Sequence, residues 1–321
     1  MLLKDNKIVD KTDAEILKIL LKNARTKLKQ IAKTCGLSSS AVLNRIEKLE
    51  KNGIIIGTTM NLKRGTLGFP CEASIGIVAE TQKIDSVAQA IRKQPNVIVC
   101  TKSIGIYNLL CLVVAKSIDD LDKVTKKIKN IPAVKGIAIN VWIDEPYYRY
   151  YENSMQPTAD NKKLDSTDLE IIAELLKNSR TPFSKIADRL AVSHETVRKK
   201  YAKMMKNGTI VGCSIIVDWA KLGYQGNLFI FISEGKENGR SDIVDDLKKI
   251  QELFLVTRVL GAYDIIALAM AKNLKETARL VSEIQQIPSV EQIVVCYATF
   301  TYFSFIPKPL TPFRCDTLEL S

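Results

Sequence analysis

Few side chains in this sequence carry a thiol or an imidazole, the groups of soft metal ligation and of the commonest nucleophile and base pairs. There is one histidine, His194, and there are seven cysteines, Cys35, Cys71, Cys100, Cys111, Cys213, Cys296 and Cys315. No two cysteines form a C-x-x-C pair and none clusters with the histidine, so the spacing of a zinc or dithiol site is missing. Cys100 closes the apolar run Val97-Ile98-Val99. The cysteines therefore read as small buried hydrophobes in a reducing compartment, with zinc or redox chemistry the alternative. What the chain offers instead is positive charge and hydroxyl groups. Its formal net charge is +12 at pH 7, which suits a polyanionic partner. Between residues 12 and 64, eleven bases (Lys18, Lys22, Arg25, Lys27, Lys29, Lys33, Arg45, Lys48, Lys51, Lys63, Arg64) stand against four acids (Asp13, Glu15, Glu47, Glu50). The excess is concentrated where a nucleic-acid contact would need it.

The elements that must position these groups occur twice. Asp10-x-x-Asp13-x-Glu15-Ile16 returns as Asp165-x-x-Asp168-x-Glu170-Ile171, and Leu20-Leu21-Lys22-Asn23-x-Arg25-Thr26 returns as Leu175-Leu176-Lys177-Asn178-x-Arg180-Thr181. Lys51-Asn52-Gly53 matches Lys206-Asn207-Gly208, and Leu67-Gly68-Phe69 matches Leu222-Gly223-Tyr224. Further on, Gly105-x-Tyr107 matches Gly261-x-Tyr263 after a single-residue insertion. The chain is a tandem duplication.

In the first part of each copy, Thr12 or Asp13 can cap a helix whose apolar face holds Ile16, Leu17, Leu20 and Leu21. A short second helix, residues 27–33, is broken at Cys35-Gly36-Leu37-Ser38. Gly36 tolerates the positive φ of a sharp turn, Leu37 plugs the core, and Ser38 caps the next helix. There Val42, Ile46 and Leu49 form the buried stripe, leaving Ser39, Ser40, Leu43, Asn44 and Arg45, with Lys48 beyond them, on or near the other side; the polar members Ser39, Ser40, Asn44 and Arg45 are the expected reading residues. Ile54-Ile55-Ile56-Gly57 reads as a strand beginning a wing. A tight turn followed by a polar-fronted helix is how a helix-turn-helix enters the major groove. The second copy would read with His194, Glu195, Arg198 and Lys199. Ser38 and Ser193 could hold a phosphate while acting as N-caps. His194, without ligand partners, reads as a DNA contact or simple exposure.

The second part of each copy alternates strand-like and helical runs in the order βαββαβ, over residues 72–144 and again over 227–304. This is the ferredoxin-like split βαβ, with helices on one sheet face and an apolar face left for a partner sheet. The fold class is thus α+β. No run approaches the roughly 18 apolar residues of a membrane span. The N-terminus Met1 to Asp10 lacks a signal-peptide apolar region, so a cytoplasmic location is expected.

The string Leu37-Ser38-x-x-x-Val42-x-x-Arg45-Ile46-x-x-Leu49-x-x-x-Gly53-Ile54-Ile55 lies downstream of Asp10-x-x-Asp13-x-x-Ile16-Leu17 and upstream of Gly-x-Tyr-Asp-type turns. Together these closely resemble the Lrp/AsnC regulators, over nearly the whole chain and twice. The resemblance implies a winged helix-turn-helix joined to a ligand-sensing βαββαβ domain, two such domains pairing sheet to sheet with small effectors, often amino acids, between them. It divides the chain into heads at 1–64 and 165–219, sensor domains at 65–148 and 220–310, a linker at 149–164 and a tail at 311–321. It points to Gly105, Tyr107, Asn108, Gly261, Tyr263 and Asp264 as effector-binding residues. If a carboxylate holds an effector ammonium, only the second turn keeps it, since Asn108 replaces the acid in the first; the rival reading is a purely structural turn. Further departures are Ala191 for the turn glycine, Lys200 for Arg45, Tyr201 for Ile46 and Met204 for Leu49. Ile139 and Val295 stand where the family tends to place a hydroxyl residue.

The expected function is sequence-specific transcription regulation on double-stranded DNA, one chain supplying a pseudo-dimer that can assemble further. No cofactor, metal or membrane partner is expected. The alternatives are a DNA-bridging architectural protein and a tetrapyrrole decarboxylase of the same architecture. The latter chemistry leans on histidine, of which this chain has one.

Overall fold

The computed structural model describes residues 9–144, 146–149, 164–235 and 242–298. Most of the expected linker and all of the expected tail lie outside them. In chain order the elements are α1 (Lys11–Lys22), α2 (Leu28–Cys35), α3 (Ser39–Lys51) and β1 (Ile55–Leu62), then β2 (Cys71–Ala79), α4 (Ile84–Arg92), β3 (Val97–Ile104), β4 (Leu109–Ala115), α5 (Ile118–Lys129), β5 (Val134–Trp142) and the short β6 (Tyr147–Tyr148). The second copy gives α6 (Ser166–Lys177), α7 (Phe183–Leu190), α8 (His194–Lys206) and β7 (Ile210–Val217). It continues with β8 (Gly226–Glu234), α9 (Ile243–Lys249), β9 (Leu253–Gly261), β10 (Ile265–Ala271), α10 (Leu274–Gln285) and β11 (Val290–Ala298). The chain sorts into two compact bodies, the two helical heads in one and the two α/β segments in the other.

In the head body, Ile16, Leu17, Leu20, Ile31, Val42, Ile46 and Leu49 are buried together, as the helical spacing requires. The cap of α1 is Asp10, two residues before Thr12 and three before Asp13. Asp10 accepts from the Asp13 amide at 2.8 Å while the Asp13 carboxylate accepts from the Asp10 amide, a reciprocal capping box that satisfies two helix-end donors at once. Asp165 and Asp168 repeat it on α6. Strand β1, expected to open a wing, pairs antiparallel with β7 of the other copy, with Thr58 opposite Ile215 and Met60 opposite Cys213. The packing is reciprocal. The Ala24 amide donates to the Cys213 carbonyl and the Ser214 hydroxyl to the Leu21 carbonyl. From the other side the Ser179 amide donates to the Thr58 hydroxyl. Each head is thus closed by a strand of its counterpart.

In the sensor body each copy builds a four-stranded antiparallel sheet, β5-β2-β4-β3 and β11-β8-β10-β9. Edge strand β5 bonds to β9 and edge strand β3 to β11, so the two sheets join at both edges into one closed ring. Outer cores fill the space under the helices, Ile75, Ile77, Ile91, Val113 and Ile128 in one copy and Ile230, Ile232, Leu247, Leu253 and Ile284 in the other. A third core lies between the sheets, around Tyr107, Leu110, Phe231, Leu255, Ile266 and Leu268. The apolar face that needed a partner sheet finds it within the chain.

Candidate nucleic-acid interface

Helix α3 begins at Ser38, whose hydroxyl accepts from the Ala41 amide at 3.1 Å and lies 2.9 Å from the Ser40 hydroxyl. The sharp entry depends on Gly36 at φ 65°, in the left-handed region that glycine enters freely. With the Val42–Ile46–Leu49 stripe inward, Ser39, Ser40, Asn44 and Lys48 are exposed, and so is Leu43. The exposed set combines hydroxyl, amide, cation and methyl groups, the chemistry that phosphates and base edges accept.

Arg45, expected in that set, has a different occupation. Its guanidinium donates to Asp10 at 2.6 Å and to Asp13 at 2.7 Å, bracing α3 against the start of α1. The backbone bond from Asp13, with Arg45 beside it, holds the Asp10 carboxyl below its ordinary pKa. Lys200 repeats the brace on Asp165 at 2.6 Å and Asp168 at 3.0 Å. The substitution of Lys for Arg at this position is therefore conservative in geometry, and the pair is a structural clasp.

Helix α8 is capped by Ser193, which accepts from the Thr196 amide at 3.0 Å. Ala191 takes the turn at φ 52°, keeping the geometry of Gly36 without glycine. His194, Glu195, Arg198 and Lys199 are all exposed. Arg198 is forked onto Glu195 through Nε and Nη2, both at 2.8 Å, and Lys199 stands 3.9 Å from the same carboxylate. The Arg198 hydrogen bonds lower the Glu195 pKa and keep it ionised. The second face thus carries an internally compensated pair where the first carries Ser40 and Leu43.

The residues expected to bind an effector sit at the joints of the closed sheet ring. A Cβ on Gly105 would lie 2.8 Å from Cys296 Sγ, and one on Gly261 would lie 2.0 Å from the Ile139 carbonyl, so both glycines permit close approach of the edge strands. Asn108 donates to the Ala79 carbonyl at 2.7 Å and accepts from the Ala79 amide at 2.9 Å, closing the end of β2. Asp264 accepts from the Glu234 amide at 2.8 Å, closing the end of β8. Tyr107 and Tyr263 meet through their hydroxyls in the inter-sheet core. The polar groups of Asn108 and Asp264 thus hydrogen-bond to neighbouring backbone.

Among the described residues no helix is long and apolar enough to cross a membrane. A winged helix-turn-helix DNA-binding family model matches residues 9–56, an AsnC-type helix-turn-helix domain matches 164–205, and the Lrp/AsnC ligand binding domain matches 72–151. The HTH-type transcriptional regulator LrpA of Pyrococcus abyssi is 34% identical over 131 residues, covering 40% of this chain and 93% of that protein. The regulator LysM of Saccharolobus solfataricus is 32% identical over 146 residues, covering 43% of this chain and 98% of that protein. Among solved structures, the siroheme decarboxylase NirDL superposes with a TM-score of 0.65 at 18% identity, over 90% of this chain and 91% of that one; that likeness concerns the fold.

Fold, reading helices and ligand-binding domain together define a DNA-binding transcription regulator. Each relative matches under half of this chain along almost its own full length, as a duplicated unit requires. The chain belongs to the Lrp/AsnC family.

Proposed function

We propose that one chain does the work of a homodimer, presenting two unequal heads to one DNA site and regulating transcription there. The observation that carries this reading is the β1–β7 pairing, by which each head is completed by a strand of the other copy. Two reading helices in one body suit two half-sites about one helical turn apart. Head one would touch base edges and phosphates through Ser39, Ser40, Asn44 and Lys48, with Leu43 against a thymine methyl. Ser38 and Ser193 would add phosphate contacts from helix N-termini. Head two would use His194, Arg198 and Lys199, with Glu195 either steering Arg198 or accepting from a cytosine amino group. Because the two faces differ, the preferred site is an imperfect palindrome. A small effector, such as an amino acid, would act through the ligand-binding domains, where a melting shift against the twenty amino acids tests it.

Selection from a random-sequence duplex library tests the reading. The expected product is two related but unequal half-sites, bound with a linear fall of log affinity against log salt. Enrichment of no motif, with broad coverage of any duplex, would favour the architectural alternative. The decarboxylase alternative rests on fold likeness alone, and a porphyrin titration without spectral change removes it.

A further inference from the structure

Besides the contacts of the β1 and β7 strands, two side chains reach from one head to the helices of the other. Arg25, just after α1, reaches into the second head. Its Nη1 donates to the Ser179 carbonyl at 2.5 Å and to the Thr181 carbonyl at 3.1 Å. The guanidinium lies 4.2 Å from the Phe183 ring centroid and 5.6 Å from that of Tyr201, within cation–π range. Phe183 opens α7 and Tyr201 lies on the reading helix α8, their rings 5.0 Å apart. Arg25 therefore grips both helices of the second helix-turn-helix. In the opposite sense, Lys221 donates to the Asn52 carbonyl at 2.7 Å, at the C-terminal end of the reading helix α3, where a cation is favoured by the helix dipole.

Among the described residues, neither tie is mirrored in the repeat. Arg180 is the counterpart of Arg25, but Leu28 and Ile46 occupy the positions of Phe183 and Tyr201. Thr66 is the counterpart of Lys221, and its hydroxyl turns back onto its own Lys63 carbonyl. The departures at Tyr201 and Phe183 are thus not drift in an idle copy, because they build the seat that Arg25 fills. The braces at Arg45 and Lys200 hold each reading helix to its own head, and these two ties add a direct contact from each reading helix to the other copy.

We propose that Arg25 and Lys221 are positioning residues that set the separation of the two reading helices, and so the half-site spacing that the protein accepts. The proposal rests on the two-headed reading above. The test is a library in which the two selected half-sites are joined by spacers of graded length, probed with the full chain. Wild type should enrich one spacing. Arg25→Ala, and independently the double variant Phe183→Leu with Tyr201→Ile, should spread enrichment over several spacings while leaving the half-site motifs unchanged. Arg180→Ala, the repeat control, should keep the single spacing. A sharp wild-type spacing retained by both the Arg25 variant and the double variant overturns the proposal. A wild-type chain that yields motifs at no fixed spacing also overturns it, whereas a wild type that yields no motif overturns the two-headed reading beneath it.

Discussion

The hydroxyls of Tyr107 and Tyr263, repeat counterparts, lie 3.2 Å apart in the core between the two sensor sheets. Phe231 packs against both rings, at 5.7 Å and 5.1 Å between centroids. The pair can meet only because the sequence around it is unequal. Tyr107 lies over Gly76, where an added Cβ would fall 2.6 Å from the ring, while the repeat places Phe231 at the position of Gly76.

Gly76→Ala should therefore force Tyr107 out of its seat and loosen the sheet-to-sheet core. Overpacking of this kind costs about 1–3 kcal/mol, read as a lower urea midpoint at unchanged slope. DNA half-site preference should not change, since the reading helices belong to the other body.

The Arg45 brace carries a pH signature. Asp10 has a depressed pKa, through the Asp13 backbone bond and then Arg45, and Asp165 is depressed first by Lys200. A carboxylate held below its unfolded value of about 3.9 contributes stability that is fully present above that pH. The contribution is lost as pH falls through the lower folded value. Head stability should thus decline on acidification below about pH 4. Arg45→Met should flatten that acid limb in part, since the Asp13 backbone bond remains, and cost about 0.5–1 kcal/mol at neutral pH because the pair is solvent-screened. Circular dichroism during urea titrations at pH 3 and pH 7 checks both statements; an unaltered acid limb in the variant counts against the brace.

Much of this was legible in the sequence, and the reasons differ by element. The buried stripe of α3 and the βαββαβ order follow from periodicity, which local geometry enforces. The β1–β7 pairing is not written in any local pattern, since an apolar strand can pair with its own hairpin or with a distant copy. Arg45 was ambiguous for a related reason. A base beside a reading face can turn outward to phosphate or inward to carboxylates, and only the packing of α3 on α1 decides. The signal was present in the joint retention of Asp10-x-x-Asp13 with Arg45 and of Asp165-x-x-Asp168 with Lys200. At Asn108 and Asp264 the same polar groups could close a strand end or hold an effector, and no local sequence pattern separates the two.

Ala191 holds a left-handed turn conformation at φ 52° that its Cβ disfavours. Ala191→Gly should relieve that strain and stabilise the second head by about 0.5–1 kcal/mol after glycine's entropy is counted. Gly36→Ala, at φ 65° with no atom within 4 Å of the added Cβ, should cost the first head a similar amount. Denaturant unfolding of the two variants should give shifts of opposite sign.

Glu195 pairs with Arg198 on the exposed face of α8, and on the proposed reading it would oppose phosphate. Glu195→Gln should raise non-specific duplex affinity by about 2–10-fold at low salt and steepen the salt dependence. Fluorescence anisotropy across a salt series measures this, and an unchanged slope would place Glu195 away from the DNA.

The central claim is that one chain supplies both heads. Native mass spectrometry on a selected duplex carrying both half-sites, at limiting protein, tests it most directly. One chain per duplex, with both half-sites protected from cleavage, is the predicted result. Two chains on every filled duplex, or one chain protecting a single half-site, would contradict it.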